Sequence, residues 1–238
     1  MSQIRLDKFI SSQLNISRKD AKLLLKKQSV TVNDAVITKA DSSVDCDKDR
    51  ICVNGKEISF TSHLYIMLNK PKGVVSATSD TSDITVVDIL PAKLKRKGMF
   101  PAGRLDKDTT GFVLVTDDGE FAHDILSPAH HVKKTYTVQV ARSVSDDEFK
   151  RFFDGMKVGD DIFKPAELNF INESDGMFNY EIKIVEGKYH QIKRMFASTG
   201  NPVINLHRTA IGGLLLDEKL LPGESREISD EELQKIKA

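Results

Sequence analysis

Cysteine is almost absent from this chain. Cys46 and Cys52 are the only two. Their spacing is not the CxxC of zinc or redox sites, so they read as reduced thiols on or near strands. No apolar run approaches the ~20 residues of a membrane-spanning helix. The opening MSQIRLDKFI has no apolar signal-peptide core and carries acid as well as base, which makes the cytoplasm the expected compartment. Net charge is missing too, since 35 basic and 35 acidic side chains cancel; that argues against a generally sticky basic protein. There is no internal repeat and no low-complexity segment.

What is present is enough for two domains. The chain has 238 residues, against a typical domain of roughly 150. With 39% hydrophobic and 29% charged residues it reads as globular. The cancelled charge is unevenly distributed. Gly187 to Leu216 holds no acid but carries Lys188, Lys193, Arg194 and Arg208. Ile89 to Leu105 and Ile125 to Ser145 are also acid-free and rich in Lys and Arg. Folded onto one face, such segments would suit a polyanion; charge segregation without function remains the alternative.

Residues 1–58 read as a compact module. Leu6, Phe9, Ile10 and Leu14 recur at helical spacing. Ser17, with Asp20 three residues on, can cap a second helix. Ala21, Leu24 and Leu25 form its apolar side, and Arg18, Lys19, Lys22 and Lys26 its basic side. VTVNDAVIT and DRICVNGKEI read as hairpins around Asn-Asp and Asn-Gly. Residues 59–63 (SFTSH) read as a linker. From 64 to 238, strands and short helices mix without a regular βαβ repeat. The predicted class is α+β, with a largely antiparallel mixed sheet and flanking helices. Capping boxes are expected at Ser145/Glu148 and Ser229/Glu232. HQIKRMFAS reads as a helix stopped by Gly200 and Pro202.

The densest chemistry lies in GRLDKDTTG, 103–111, ahead of the strand-like FVLV. Arg104 and Asp106, two apart, point the same way in extended backbone. The loop alone is open to three readings. It can be a catalytic loop held by a scaffold, or a turn in which Asp and Thr bond their own backbone. It is also a partial calcium loop, with Asp106, Asp108, Thr110 and Gly111 at positions 1, 3, 5 and 6. Such a loop needs helices on both sides and normally a Glu at position 12, where this chain has Asp117 after a strand.

Two resemblances sharpen this. RLDKFISSQLNISRKDAKLLLKKQSVTVND resembles the alpha-L RNA-binding module first described in a ribosomal protein. That likeness implies RNA contact through the basic face of the second helix. Five further motifs resemble the pseudouridine synthases that act on ribosomal RNA: KPKGVVS at 70–76, AGRLDKDTTG at 102–111, SPAHHVKKTY at 127–136, EGKYHQIKRMF at 186–196 and HRTAIGGLLL at 207–216. They occur in order over nearly the whole chain. Tyr189-His190 ahead of Gln191, with HRTAIGG, is most similar to the small-subunit (16S rRNA) branch, the RsuA family.

The resemblance implies a reaction. The N-glycosidic bond of a uridine is cleaved, the base turns, and it rejoins the sugar through carbon 5, with no metal or organic cofactor. The family's catalytic aspartate falls on Asp106, as nucleophile or base, and its basic partner on Lys193. Its aromatic falls on Tyr136. A target base must be flipped out of the stack, and stacking on that ring offsets part of the cost; the hydroxyl is suited to helping take the carbon 5 proton. Arg104 is expected near the extruded nucleotide, Ile192 as an apolar wall of the uracil pocket, and Arg194 as a phosphate contact. His130, His131, His190 and His207 are expected to contact RNA or pack, because they accompany basic residues and not ligand partners at metal spacing. The implied partner is ribosomal RNA within an assembling small subunit, and the expected enzyme is a monomer.

Overall fold

The computed structural model describes residues 3–127 and 130–237, so Pro128 and Ala129 of the third motif lie outside the described residues. Contacts divide the chain into two units, 3–64 with 95–98 and 65–94 with 99–237.

The first unit runs β1 (Gln3–Arg5), α1 (Leu6–Gln13), α2 (Arg18–Lys26), β2 (Val30–Val32), β3 (Ala35–Val36), β4 (Ser43–Asp45), β5 (Ile51–Val53) and β6 (Lys56–Glu57). Leu6, Phe9 and Ile10 of α1 meet Ala21 and Leu25 of α2 in a core closed by Val30, Ile51 and Val53. Leu14, past the end of α1, stays exposed. Ser17 Oγ accepts from the Asp20 backbone N–H at 3.1 Å and starts α2. Arg18, Lys19, Lys22 and Lys26 are all exposed on that helix. Antiparallel strands in the order β3-β2-β5-β6 form a small sheet. Asn33-Asp34 and Asn54-Gly55 all have positive φ, the geometry of tight hairpins whose twist matches the strands. Residues 59–63, expected as a linker, are partly packed onto this unit. Phe60 stacks on Phe9, and the Thr61 N–H donates to Gln13 Oε1 at 3.0 Å. Arg96 donates to the Thr61 carbonyl at 2.8 Å, which ties 95–98 to the same unit.

The second unit runs β7 (Tyr65–Lys70), β8 (Phe100–Pro101), β9 (Thr110–Thr116), α3 (Gly119–Leu126), β10 (Lys134–Val140), α4 (Asp146–Asp154), β11 (Met156–Val158), β12 (Asp161–Phe163), β13 (Glu167–Ser174), β14 (Met177–Ile184), α5 (Gln191–Ala197), β15 (Val203–Ile211), β16 (Leu214–Leu215), β17 (Ser225–Glu227) and α6 (Asp230–Ile236). One sheet dominates, in the order β13-β14-β10-β15-β9-β7-β17, with β16 on β15 and β8 on β9. The fold is α+β. Among the described residues the strand pairs of this sheet are antiparallel except β9 with β15, where His207 pairs with Thr110 and Arg208 with Gly111.

That parallel seam needs a close backbone approach. Gly111 has φ +101°, and a Cβ there would stand 2.3 Å from the Arg208 carbonyl oxygen. Glycine is the residue that tolerates both conditions. Phe112 and Leu114 of β9 pack with Phe121, Ala122 and Ile125 of α3 and with Ile236 of α6. Both expected capping boxes form, at Ser145/Glu148 and at Ser229/Glu232. On α4 only Phe152 is buried, and Phe153 faces solvent. Among the described residues no helix is long and apolar enough to cross a membrane.

Candidate active site

The loop before β9 is fixed from two sides. Ser76 Oγ accepts from the Leu105 N–H and donates to the Leu105 carbonyl, both at 3.0 Å, clamping the residue that precedes Asp106. From below, the fully buried Lys70 donates to the carbonyls of Thr109 at 2.7 Å, Pro71 at 3.1 Å and Lys107 at 3.3 Å. Burial pushes this lysine down to about 8. The Thr109 N–H closes a turn onto the Asp106 carbonyl at 3.1 Å. The loop runs into strand β9, not into the helix that a calcium loop needs. Among the described residues no group of three or more His, Cys, Asp or Glu could hold a metal ion.

The second wall is α5. Its Ile192, Met195 and Phe196 are buried, which leaves Lys193 turned toward the loop. Lys193 Nζ lies 2.8 Å from Asp106 Oδ2 and 2.5 Å from Asp108 Oδ1. Burial opposes the ammonium charge, but hydrogen bonds to Asp106 and Asp108 outweigh it, so Lys193 is held above the ordinary lysine value. The same contact holds Asp108 below the usual carboxylate range. His190 precedes α5 in a left-handed conformation, φ 48°. Its Nε2 is 3.3 Å from Asp106 Oδ1, and its ring stacks on the exposed Tyr189 with centroids 3.9 Å apart.

The third wall is the middle of β10. Tyr136 is paired with Ile182 of β14 on one side and with Arg208 of β15 on the other. Its ring is 7% exposed. An open cleft is lined by Arg104, Asp106, Tyr136, His190, Ile192 and Lys193 among others. It presents a carboxylate, an ammonium, an aromatic ring and an apolar wall to one small space. That set can hold a flat polar ring and place a carboxylate against what the ring is attached to.

A family model described as RNA pseudouridylate synthase matches residues 64–198. The chain belongs to that family. The synthase is 40% identical over 231 residues to the RNA pseudouridine synthase YtzG of Bacillus subtilis, covering 97% of each chain. It is 41% identical over 237 residues to the ribosomal small subunit pseudouridine synthase A of Escherichia coli K12, covering 98% of this chain and all of that one. A crystal structure of a pseudouridylate synthase superposes with TM-score 0.67 at 36% identity, covering 98% of this chain and 99% of the other.

Of the six residues given a catalytic or substrate-contact role from the sequence, five meet at the synthase cleft: Arg104, Asp106, Tyr136, Ile192 and Lys193. Arg194 is not brought there. Its guanidinium pairs with Asp161 Oδ2 at 2.6 Å, donates to the Val158 carbonyl at 3.0 Å and lies over the Phe163 ring. It therefore ties α5 to the β11–β12 hairpin. Four residues near the cleft escaped sequence reasoning in these roles. Asp108 shares Lys193, His190 contacts Asp106, Lys70 anchors the loop, and Arg208 lies behind Tyr136. The motifs KPKG and HRTAIGG contain two of them, but no motif states that a cation is buried.

Proposed function

We propose that this synthase isomerises a uridine of small-subunit (16S) ribosomal RNA to pseudouridine, with Asp106 as the catalytic carboxylate. The observation that carries the chemistry is the Asp106–Lys193 pair, 2.8 Å apart, in a cleft walled by Tyr136 and Ile192. The likeness over the full length of a small-subunit synthase supports the choice of RNA.

In this reading the target nucleotide leaves its stack and the base enters the cleft. Tyr136 stacks on it, repaying part of the flipping cost of a few kcal/mol. Asp106 acts as nucleophile or base, and either role needs the ionised carboxylate, which pairs with the Lys193 ammonium. The glycosidic bond breaks, the base turns between Tyr136 and Ile192, and carbon 5 bonds to the sugar. The carbon 5 proton then leaves through Tyr136. Arg104, exposed at the rim, contacts RNA beside the extruded nucleotide.

Residues 1–58 serve as the RNA-binding module and 64–238 as the catalytic domain. The row of exposed Arg18, Lys19, Lys22 and Lys26 on one short helix supports that division, since such a row matches a phosphate backbone. The substrate is the RNA of an assembling small subunit, in the cytoplasm where ribosomes are built, and the enzyme works as a monomer. Mapping pseudouridines in ribosomal RNA from cells with and without this gene tests the substrate. One site lost from the small-subunit RNA is expected. A site lost only from the large-subunit RNA, or no lost site, overturns it.

A further inference from the structure

Arg208 is the least explained charge in the catalytic unit. It lies in the middle of β15 and is 4% exposed. Among the described residues it has no carboxylate partner. Nε donates to the Phe112 carbonyl at 2.6 Å, and Nη2 is buried with no hydrogen-bond partner. Two lysines that feel its charge add to the cost. Lys134, driven down to about 8 by burial and then by Arg208, and Lys70, driven down to about 8 chiefly by burial, both carry the same sign. A guanidinium stays charged in a protein interior, and burying it without an anion is expensive. A cost of that kind calls for an explanation.

The remaining contact supplies one. Arg208 is the cross-strand neighbour of Tyr136. Nη1 lies 3.5 Å from the Tyr136 oxygen, at the outer limit of a hydrogen bond, and the guanidinium carbon is 5.9 Å from the ring centroid. Tyr136 in turn lines the cleft that holds Asp106 and Lys193. Arg208 is thus a fixed cation on the buried side of a phenol whose other side faces the substrate.

We propose that Arg208 is a positioning residue for the reaction, orienting the Tyr136 oxygen and serving as its counter-ion while it takes the carbon 5 proton. The inference rests on the reading of Tyr136 given above. Once carbon 5 has bonded to the sugar, its hydrogen leaves as a proton to the phenolate oxygen. The pair of the broken C–H bond restores the ring double bond, and the ring nitrogen that left the sugar takes a proton from water. The phenol returns its proton to water before the next turnover. Until that proton arrives the negative charge rests on the Tyr136 oxygen, whose hydrogen-bond partner is Arg208, and the unpartnered Nη2 can close on it. Charge-assisted hydrogen bonds of this kind are stronger than neutral ones.

A double-mutant cycle on the full chain separates this role from a structural one. Arg208→Gln keeps a donor for the Phe112 carbonyl and removes the charge; Tyr136→Phe keeps the ring and removes the hydroxyl. Tritium release from a small-subunit RNA transcript labelled at carbon 5 of uridine reads turnover, and a deuterium label there reads the isotope effect. Arg208→Gln is expected to lower kcat by about ten-fold or more with KM little changed and to raise the isotope effect, while the double variant falls no further than Tyr136→Phe, within about two-fold. Arg208→Lys, which retains a cation if Arg208→Gln folds poorly, is expected to fall between wild type and Gln. Multiplying losses in the double variant overturn the role of Arg208 alone. Wild-type turnover by Tyr136→Phe overturns the reading of Tyr136 and this inference with it.

Discussion

Lys193 Nζ stands 2.8 Å from Asp106 Oδ2 and 2.5 Å from Asp108 Oδ1, so one ammonium bridges two carboxylates of the loop. Asp108 is the more exposed of the two, and Asp106 is the one that lines the cleft. The arrangement fixes the loop to α5 and leaves Asp106 aimed at the substrate space, with His190 on its other oxygen.

Removing the bridge leaves two like charges facing each other. Lys193→Met should therefore lower kcat by about 100-fold or more, with RNA affinity changed far less. Lys193→Arg should recover part of the rate. The raised value of Lys193 sets the sign of its pH dependence. The stabilisation is fully present below the ordinary lysine value of about 10.4 and is lost only as pH rises through the higher folded value. Unfolding free energies of wild type and Lys193→Met check this, with the gap between them closing only as pH rises above the ordinary lysine value.

The parallel seam gives a stability prediction. Gly111→Ala puts a methyl group 2.3 Å from the Arg208 carbonyl oxygen at φ +101°. Relief requires β9 and β15 to part, which should destabilise the fold by more than about 2 kcal/mol. Denaturant unfolding measures it. Gly119→Ala, with nothing within 4 Å of the added methyl, is the control and should differ little from wild type.

Acid stability should depend on the two capping boxes. Glu148 is drawn down to about 2 mainly by its hydrogen bonds to Arg142, and Glu232 to about 2 mainly by those to Arg226. Folded values below the unfolded value of about 4.3 mean the unfolded chain binds more protons in between. Their stabilisation is present above pH ~4.3 and is lost as pH falls toward 2. Melting temperatures of Glu148→Gln and Glu232→Gln should be lower than wild type at pH 7 and converge on it near pH 2.

The basic face of α2 predicts a salt effect. Replacing Lys19, Lys22 and Lys26 by Gln should weaken RNA binding and reduce the slope of log affinity against log salt by about one for each lysine that touches a phosphate. Turnover at saturating RNA should stay near wild type. An unchanged slope returns these lysines to a solvated surface.

Local signals made much of this molecule legible. The capping boxes, the Asn-Asp and Asn-Gly turns and the apolar stripes of α1 and α2 depend on neighbours a few residues away, and they formed, except that Leu14 falls past the end of α1 and stays exposed. The cleft was legible through motif resemblance, because Asp106, Tyr136 and Lys193 come from three elements that no local pattern joins. What escaped depends on tertiary context. The β9–β15 seam is parallel because two distant strands meet there, and nothing in FVLV or in NLHRTAI announces it. Arg194 sits one residue from Lys193, yet the hairpin at Asp161 captures it. Phe153 continues the apolar pattern of α4 but finds no core. Arg208 shares its strand face with the buried Leu206 and Ala210, but nothing in the run says that the apolar face holds a charge behind Tyr136.

The chemistry depends on the carboxylate of Asp106. Purified wild type and Asp106→Asn, each confirmed as folded, are incubated with small-subunit ribosomal RNA, and new pseudouridine is mapped alongside RNA affinity. Wild type should introduce pseudouridine at one site, and Asp106→Asn none, with affinity within a few-fold of wild type. Pseudouridine formed at that site by Asp106→Asn would show that the Asp106 carboxylate is not the catalytic group.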